Sequence, residues 1–266
     1  MTRVAVLLDD ASVDDWVARC LQTMVDRTDA TVTLVVVNDE PGKTATELLR
    51  RAVEKPHWAR WFAGMKLLRA VAGPPDYMES RPLDAVDALA DARVIRAEPI
   101  PLDGFGNRLP DDVVDTIASE ADLVFRHGFG VLKGDVLTEP RLGVLSYHHG
   151  DPSEYRGSPA GLWEFLDGVD TAGIMLQQLT ETLDGGKTVV YDEVDVGDAR
   201  TFREVQRRLY RNSPEMLATA VERLTDPDFE PETPADLAPV NTAPGIVDYC
   251  RYQLKNARGR LRSGHL

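Results

Sequence analysis

Apolar and polar positions alternate between two regimes along the chain. Residues 3–8 (RVAVLL) form a short, β-branched apolar run closed by Asp9 and Asp10, and residues 31–37 (TVTLVVV) form a second. Between them, Val13, Trp16, Val17, Cys20, Leu21 and Met24 recur at helical spacing over 12–27. Strand, helix and strand with both strands apolar throughout predict a βαβ unit in a parallel sheet covered on both faces. The turn after the first strand lacks G-x-G-x-x-G, which argues against an NAD or FAD enzyme.

The same alternation continues downstream. Residues 44–72 predict one long helix or two, with Trp58, Trp61, Phe62, Met65 and Leu68 as a core stripe rather than a ligand cage, broken by Gly73, Pro74 and Pro75. Strands are expected near 93–100, over 122–130 and over 142–148, with a loop leading into a helix at 111–119. A short helix at 159–167 precedes two long strands over 172–197, joined by a turn at Leu183, Asp184, Gly185 and Gly186. An amphipathic helix is expected over 200–225, then a Pro- and acid-rich stretch, then an amphipathic segment from about 245. The order predicts a doubly wound α/β fold with a mostly parallel sheet, helices on both faces and ligands beyond the carboxyl ends of the strands. A catalytic domain is expected over 1–200 and a small C-terminal helical extension and tail over 201–266. The last 16 residues carry five Lys or Arg and no acid, which reads as a small helix with a frayed end, or as an anion-binding tail.

Composition narrows the setting. The 266 residues suffice for one α/β domain with an appended piece, and no run approaches the roughly 18 apolar residues of a membrane span. A net charge of -14 argues against nucleic acid or an anionic membrane as partner. Asp outnumbers Glu 28 to 16 and Arg outnumbers Lys 24 to 6. Such a surface stays hydrated in concentrated salt, so a halophilic setting is expected, with an ordinary acidic cytosolic protein as the alternative. Cys20 and Cys250 are far apart, so neither a zinc site nor a disulfide framework has support and no metal is expected. Met1, Thr2 and Arg3 run straight into a strand without a signal-peptide pattern, and a cytoplasmic location is expected.

Candidate chemistry concentrates in 143–197. His148 and His149 stand where a strand of a parallel sheet ends, and alternation points the two imidazoles to opposite sides, so one faces a cleft while the other packs. A histidine here also reads as a satisfied core residue. The surrounding residues carry a resemblance. Ser146, Tyr147 and His148 are followed by the loop Gly150, Asp151, Pro152, Ser153, then by Tyr155, Arg156 and Gly157. Pro159 and Ala160 lead a helix ending Leu166, Asp167, Gly168; the strand Thr171–Leu176 and the turn Leu183, Asp184, Gly186 come next. These stretches, with 122–137 (DLVFRHGFGVLKGDVL) upstream, resemble the formyltransferase family that uses 10-formyltetrahydrofolate, whose members act on methionyl-tRNA, glycinamide ribonucleotide and amino sugars.

The resemblance implies a formyltransferase-like fold and transfer of a formyl group from 10-formyltetrahydrofolate to the amine of a small-molecule acceptor. It implies that His148 donates a hydrogen bond to the formyl oxygen, and that Asp184 pairs with His148 or an ordered water and keeps the imidazolium favoured; a plain turn aspartate is the other reading of Asp184. Arg126, His127, Gly128, Phe129 and Gly130 fall on the folate side, with Arg126 able to pair either with an anionic substrate or with a nearby acid. Tyr155, Arg156 and Gly157 fall in the substrate loop, where Arg156 is also readable as an anchor through backbone carbonyls. Ser146 stands where the family has Asn, and loss of one oxyanion donor typically costs about 2.7 to 4 kcal/mol. The loop at 150–153 likewise departs from the family's Ser-Leu-Leu-Pro. Two alternatives accompany this reading: a deformylase-like formyl hydrolase, disfavoured because those carry an N-terminal regulatory domain, and a catalytically weakened protein that binds a folate or nucleotide. The roughly 40 residues after 226 do not suggest the OB-fold of tRNA-directed members.

Overall fold

The first apolar run pairs with the second because each buries both faces. In the computed structural model, which describes residues 1–42 and 44–263, β1 (Arg3–Leu8) lies parallel to β2 (Thr31–Asn38), with α1 (Asp15–Arg27) between them in sequence. Three further strands, β3 (Arg93–Ala97), β4 (Leu123–His127) and β5 (Val144–His148), extend the parallel pairing. The hairpin β6 (Thr171–Gln178) and β7 (Lys187–Asp195) adds an antiparallel edge, giving the order β7-β6-β5-β4-β1-β2-β3. The chain runs outwards from β1 through β2 to β3, then restarts on the other side of β1 with β4. The reversal therefore falls between β1 and β4, the position where open α/β sheets form a crevice.

Helices cover both faces, as the doubly wound pattern requires. Val4, Val6 and Leu8 of β1 belong to one apolar cluster with α1, whereas Ala5 and Leu7 belong to a second that contains Val113, Val114 and Ile117 of α4 (Asp111–Glu120). The segment 44–72 is two helices, α2 (Ala45–Glu54) and α3 (Pro56–Ala72). Thr44 and Glu47 form a capping box at the start of α2, and Pro56 opens α3, where its missing N–H costs nothing. Of the expected stripe, Trp61 is buried and packs on Phe202 and Tyr252, but Phe62 lies on the outer side and is exposed.

After the short helix α5 (Leu162–Asp167) and the edge hairpin, the single helix expected over 200–225 is two: α6 (Phe202–Asn212) and α7 (Pro214–Thr225). Pro214 cannot continue α6 but suits the first turn of α7. Leu209, Leu217 and Val221 join the same cluster as β1, so packing is continuous across residue 200. The basic tail lies in α8 (Ile246–Ser263), whose Arg251, Lys255, Arg258 and Arg262 line a cleft of about 1050 Å3 with Asp198 and Glu204. The frayed end expected at 264–266 lies outside the described residues. No helix among the described residues is long and apolar enough to cross a membrane.

One ring cluster fixes β5 against the helices. Trp16 meets His127 at 5.2 Å, Tyr147 and His149 at 5.3 Å and Tyr210 at 5.1 Å between centroids, mostly edge to face. Ser213, at the α6–α7 junction, closes the polar ends. Its hydroxyl donates to the Leu209 carbonyl at 3.0 Å and accepts from His149 Nε2–H at 2.9 Å, while Tyr147 Oη donates to the Ser213 carbonyl at 2.6 Å. Burial, together with the His148 and His127 charges, pushes the His149 pKa from 6.5 down to about 3. The folded state thus binds His149 only in neutral form, whereas the unfolded chain takes up a proton below 6.5. Stability from this group is fully present above 6.5 and is lost as pH falls towards 3. Urea unfolding of wild type and His149→Asn across pH 3 to 7 should show their stability difference growing with pH by on the order of 4 kcal/mol. Parallel curves would remove the buried neutral imidazole from the account.

Candidate active site

Because side chains alternate, the residues between those facing Trp16 point to the other side of the sheet. On β4 and β5 these are Arg126, Ser146 and His148. Arg126 Nη1 donates to Ser146 Oγ at 3.0 Å, and Nη2 donates to the Gly130 carbonyl. Arg126 Nε is buried without a hydrogen-bond partner. Burial lowers the pKa of this guanidinium, and the carboxylates of Asp9 and Asp184 oppose the shift.

His148 is 6% exposed and held at both ends of its ring. Nε2 lies 3.4 Å from the Tyr155 carbonyl, which can only accept, so Nε2 carries the hydrogen of the neutral ring. Nδ1 faces Asp184, 3.9 Å from Oδ1. That distance allows an ion pair when the ring is charged but is long for a hydrogen bond. Burial lowers the His148 pKa from 6.5, outweighing the opposing charge of Asp184. The imidazolium expected from the acid neighbour is therefore not the resting form; desolvation wins, and the ring rests neutral at neutral pH.

The departing loop at 150–153 is a tight polar turn. Asp151 Oδ1 accepts from Ser153 N at 2.7 Å and Ser153 Oγ at 2.6 Å, and its Oδ2 accepts from Tyr191 Oη at 3.1 Å. Gly150 admits no side chain, since a Cβ there would stand 2.5 Å from the Tyr155 carbonyl oxygen and 3.2 Å from His148 Nε2. Asp184 has φ 45°, a left-handed turn conformation. Its place is set by Arg156, which donates from Nε to the Leu183 carbonyl at 3.1 Å and from Nη1 to the Ala238 carbonyl at 3.4 Å. Arg156 thus anchors the loop through backbone carbonyls. Tyr155 Oη donates to Asp167 at 3.4 Å, and Gly157, at φ 110°, lies so close to Asn241 that a Cβ would stand 2.2 Å from its carbonyl oxygen.

The five residues expected on the folate side divide. Arg126 joins Ser146 and His148, and Gly130 supplies a carbonyl to its guanidinium. His127 points the other way, onto Trp16 and 3.6 Å from Asp14, because it shares a side of β4 with Phe125. Gly128 presses on the end of β1, where a Cβ would stand 2.5 Å from Asp9 N. Phe129 donates its backbone N–H to Asp9 Oδ1 at 2.7 Å, and its ring is buried in the second cluster rather than offered for stacking. His127 and Phe129 therefore do not present side chains beside His148. Two groups at the site went unassigned from sequence. Asp9 ties the ends of β1 and β4 together; Glu164, a lone acid in the apolar run LWEFL, is buried beside Gly150. Among the described residues no group of three or more His, Cys, Asp or Glu is placed to hold a metal ion.

Asp184 favours the charged ring, so Asp184→Asn should lower the His148 midpoint further. Nitrogen chemical shifts of His148 followed by NMR check this. An unchanged or raised midpoint would show that the two side chains are not coupled.

Comparison with known proteins bears on what this arrangement serves. A methionyl-tRNA formyltransferase of Thermotoga maritima is 28% identical over 110 residues, 41% of this chain and 35% of that protein. The chain spans about a third to a half of the length of the curated relatives it matches. Glycinamide ribonucleotide transformylase 1 of Symbiobacterium toebii aligns with a TM-score of 0.52 at 17% identity, covering 84% of this chain and 87% of its own. A 4-N formyltransferase of Francisella tularensis aligns with a TM-score of 0.56 at 12% identity, covering 97% and 87%. At those identities the structural likeness is one of fold. The family model described as formyl transferase matches residues 79–221, more than half of the chain and a span that includes Arg126, Ser146, His148, Glu164 and Asp184, and the chain belongs to that family.

Proposed function

We propose that this protein transfers a formyl group from 10-formyltetrahydrofolate to the amine of a small-molecule acceptor. The observation that carries the reading is His148 at the sheet's carboxyl edge, its Nδ1 facing Asp184 and its Nε2 at the Tyr155 carbonyl, with the Arg126–Ser146 pair on the same side of the sheet. The residues fit such a donor, because a buried guanidinium nitrogen without a partner adjoins a serine hydroxyl whose oxygen is already accepting. When bound, 10-formyltetrahydrofolate supplies an activated formyl carbonyl. Net charge of -14 favours a small acceptor over a nucleic acid.

Formyl transfer forms one C–N bond and breaks another, gathers negative charge on the formyl oxygen and moves one proton between nitrogens. His148 Nδ1, bare in the resting tautomer, takes the proton from the attacking amine and returns it to the departing nitrogen. Asp184 steadies the ring while it is charged. At 3.9 Å the attraction is about 4 kcal/mol at an effective dielectric of 20, and less here because Asp184 keeps some exposure to water. Ser146 Oγ accepts from Arg126, which leaves its hydroxyl hydrogen to donate to the formyl oxygen; the guanidinium charge strengthens that donation.

Single-turnover assays with 10-formyltetrahydrofolate and a panel of amines test the reading. Wild type should transfer; His148→Ala should abolish transfer; Arg126→Met and Ser146→Ala should each lower kcat by roughly 100- to 1000-fold with little change in KM. Full activity in His148→Ala overturns the mechanism. Absence of turnover with every amine, together with folate binding that is equal in wild type and His148→Ala, would make the protein a binding module.

A further inference from the structure

Glu164 lies in α5 with 2% of its surface exposed, and its Oε1 has no hydrogen-bond partner. An unpartnered buried carboxyl oxygen is destabilising, so its presence asks for a reason. Its surroundings supply one. A methyl placed on Gly150 would stand 3.2 Å from His148 Nε2 and 3.4 Å from Glu164 Oε1, so both atoms abut the same small space. The wall of that space is the Tyr155 carbonyl, the group that holds Nε2. Asp184 is on the opposite, Nδ1, edge of the ring.

We propose that Glu164 is a positioning residue for His148: its carboxyl group backs the Nε2 edge of the imidazole while Asp184 faces the Nδ1 edge, so that a carboxyl on each side answers the charge the ring acquires. The inference rests on the reading above that His148 carries a proton during transfer. The charged and titratable groups around the pair are Asp167 on α5 with the Tyr155 phenol that donates to it, Lys255 of α8, which reaches the Phe165 carbonyl, and Asp184, Asp151, Arg156 and His149 around the ring. Burial first, and then Asp167, push the Glu164 pKa up to about 7, with its own backbone N–H opposing. Below that value the carboxyl is neutral; above it, a negative charge stands behind Nε2 and makes Nδ1 the stronger base.

The test follows both ring nitrogens of His148 by NMR in enzyme labelled at histidine, across pH 4 to 9. Wild type should show two steps, the ring's own below 6.5 and a second near 7 from Glu164. Glu164→Gln, which keeps shape and removes the titration, should lose the second step, and Glu164→Asp should keep it. In turnover, Glu164→Gln should lose the rise in kcat through pH 7 with KM unmoved, a pattern that mere packing would not give. A single His148 step in wild type, unchanged in Glu164→Gln, overturns the proposal whatever the activity. Two steps in wild type and one in Glu164→Gln uphold it even if no formyl donor is turned over, in which case formyl transfer alone is refuted.

Discussion

The hydrogen bond from His149 to Ser213 sets the side of β5 on which chemistry can occur. Side chains on a strand have a period of two, so a slip of one residue would carry every member of the strand to the other face. Tyr147 and His149 are both tied to Ser213 and both packed on Trp16, and three elements, α1, β5 and the α6–α7 junction, meet there. Either tie left unmade would strand a buried polar group at about 1 to 3 kcal/mol. With that face settled, Ser146 and His148 must face the other, beside Arg126 of β4. The face that carries the candidate site follows from the packing of the opposite one.

Ser146 and Arg126 make sense only together. The family's Asn would bring a carboxamide to position 146, and here the space beside that position is filled by a guanidinium that donates to the smaller hydroxyl. A carboxamide donor is exchanged for a hydroxyl backed by a positive charge, and charge-assisted hydrogen bonds are roughly twice as strong as neutral ones. The lone serine, read from sequence, looks like the loss of a donor. The pair looks like its replacement.

The central strands β1 and β2 were legible because a doubly covered strand is apolar at nearly every position. The opposite facing of His148 and His149 was legible from alternation alone. Arg156 as a carbonyl anchor was open from its place in a turn-rich loop. Other features needed contacts between elements distant in sequence. His127 faces Trp16 because of its parity with Phe125, which only the packing of β4 on α1 reveals. The break at Pro214 was written in the residue itself, but amphipathic spacing carried through it and hid the turn. Phe62 shares helical spacing with Trp58 and stacks on it at 5.4 Å, yet lies at the outer side of α3 and is exposed. Glu164 left a signal, one acid in an apolar run, whose meaning depended on Gly150 and Tyr155 arriving from the loop above.

The resting charge of His148 shows why burial had to be seen. From sequence, an acid near a histidine argues for the imidazolium, because opposite charges attract. In the folded protein the ring is so far removed from water that the cost of desolvating the charged form exceeds what Asp184 returns at 3.9 Å. The outcome suits the chemistry better than the expectation did. An imidazolium at rest would carry a hydrogen on Nδ1 and could not take one from an amine. A neutral ring, with Nε2–H spent on the Tyr155 carbonyl, offers Nδ1 as a base. In the proposed transfer, Asp184 would matter most at the moment the ring becomes charged, when its attraction would act on the transition state rather than on the resting protein, and an interaction that strengthens only there is the kind that accelerates a reaction.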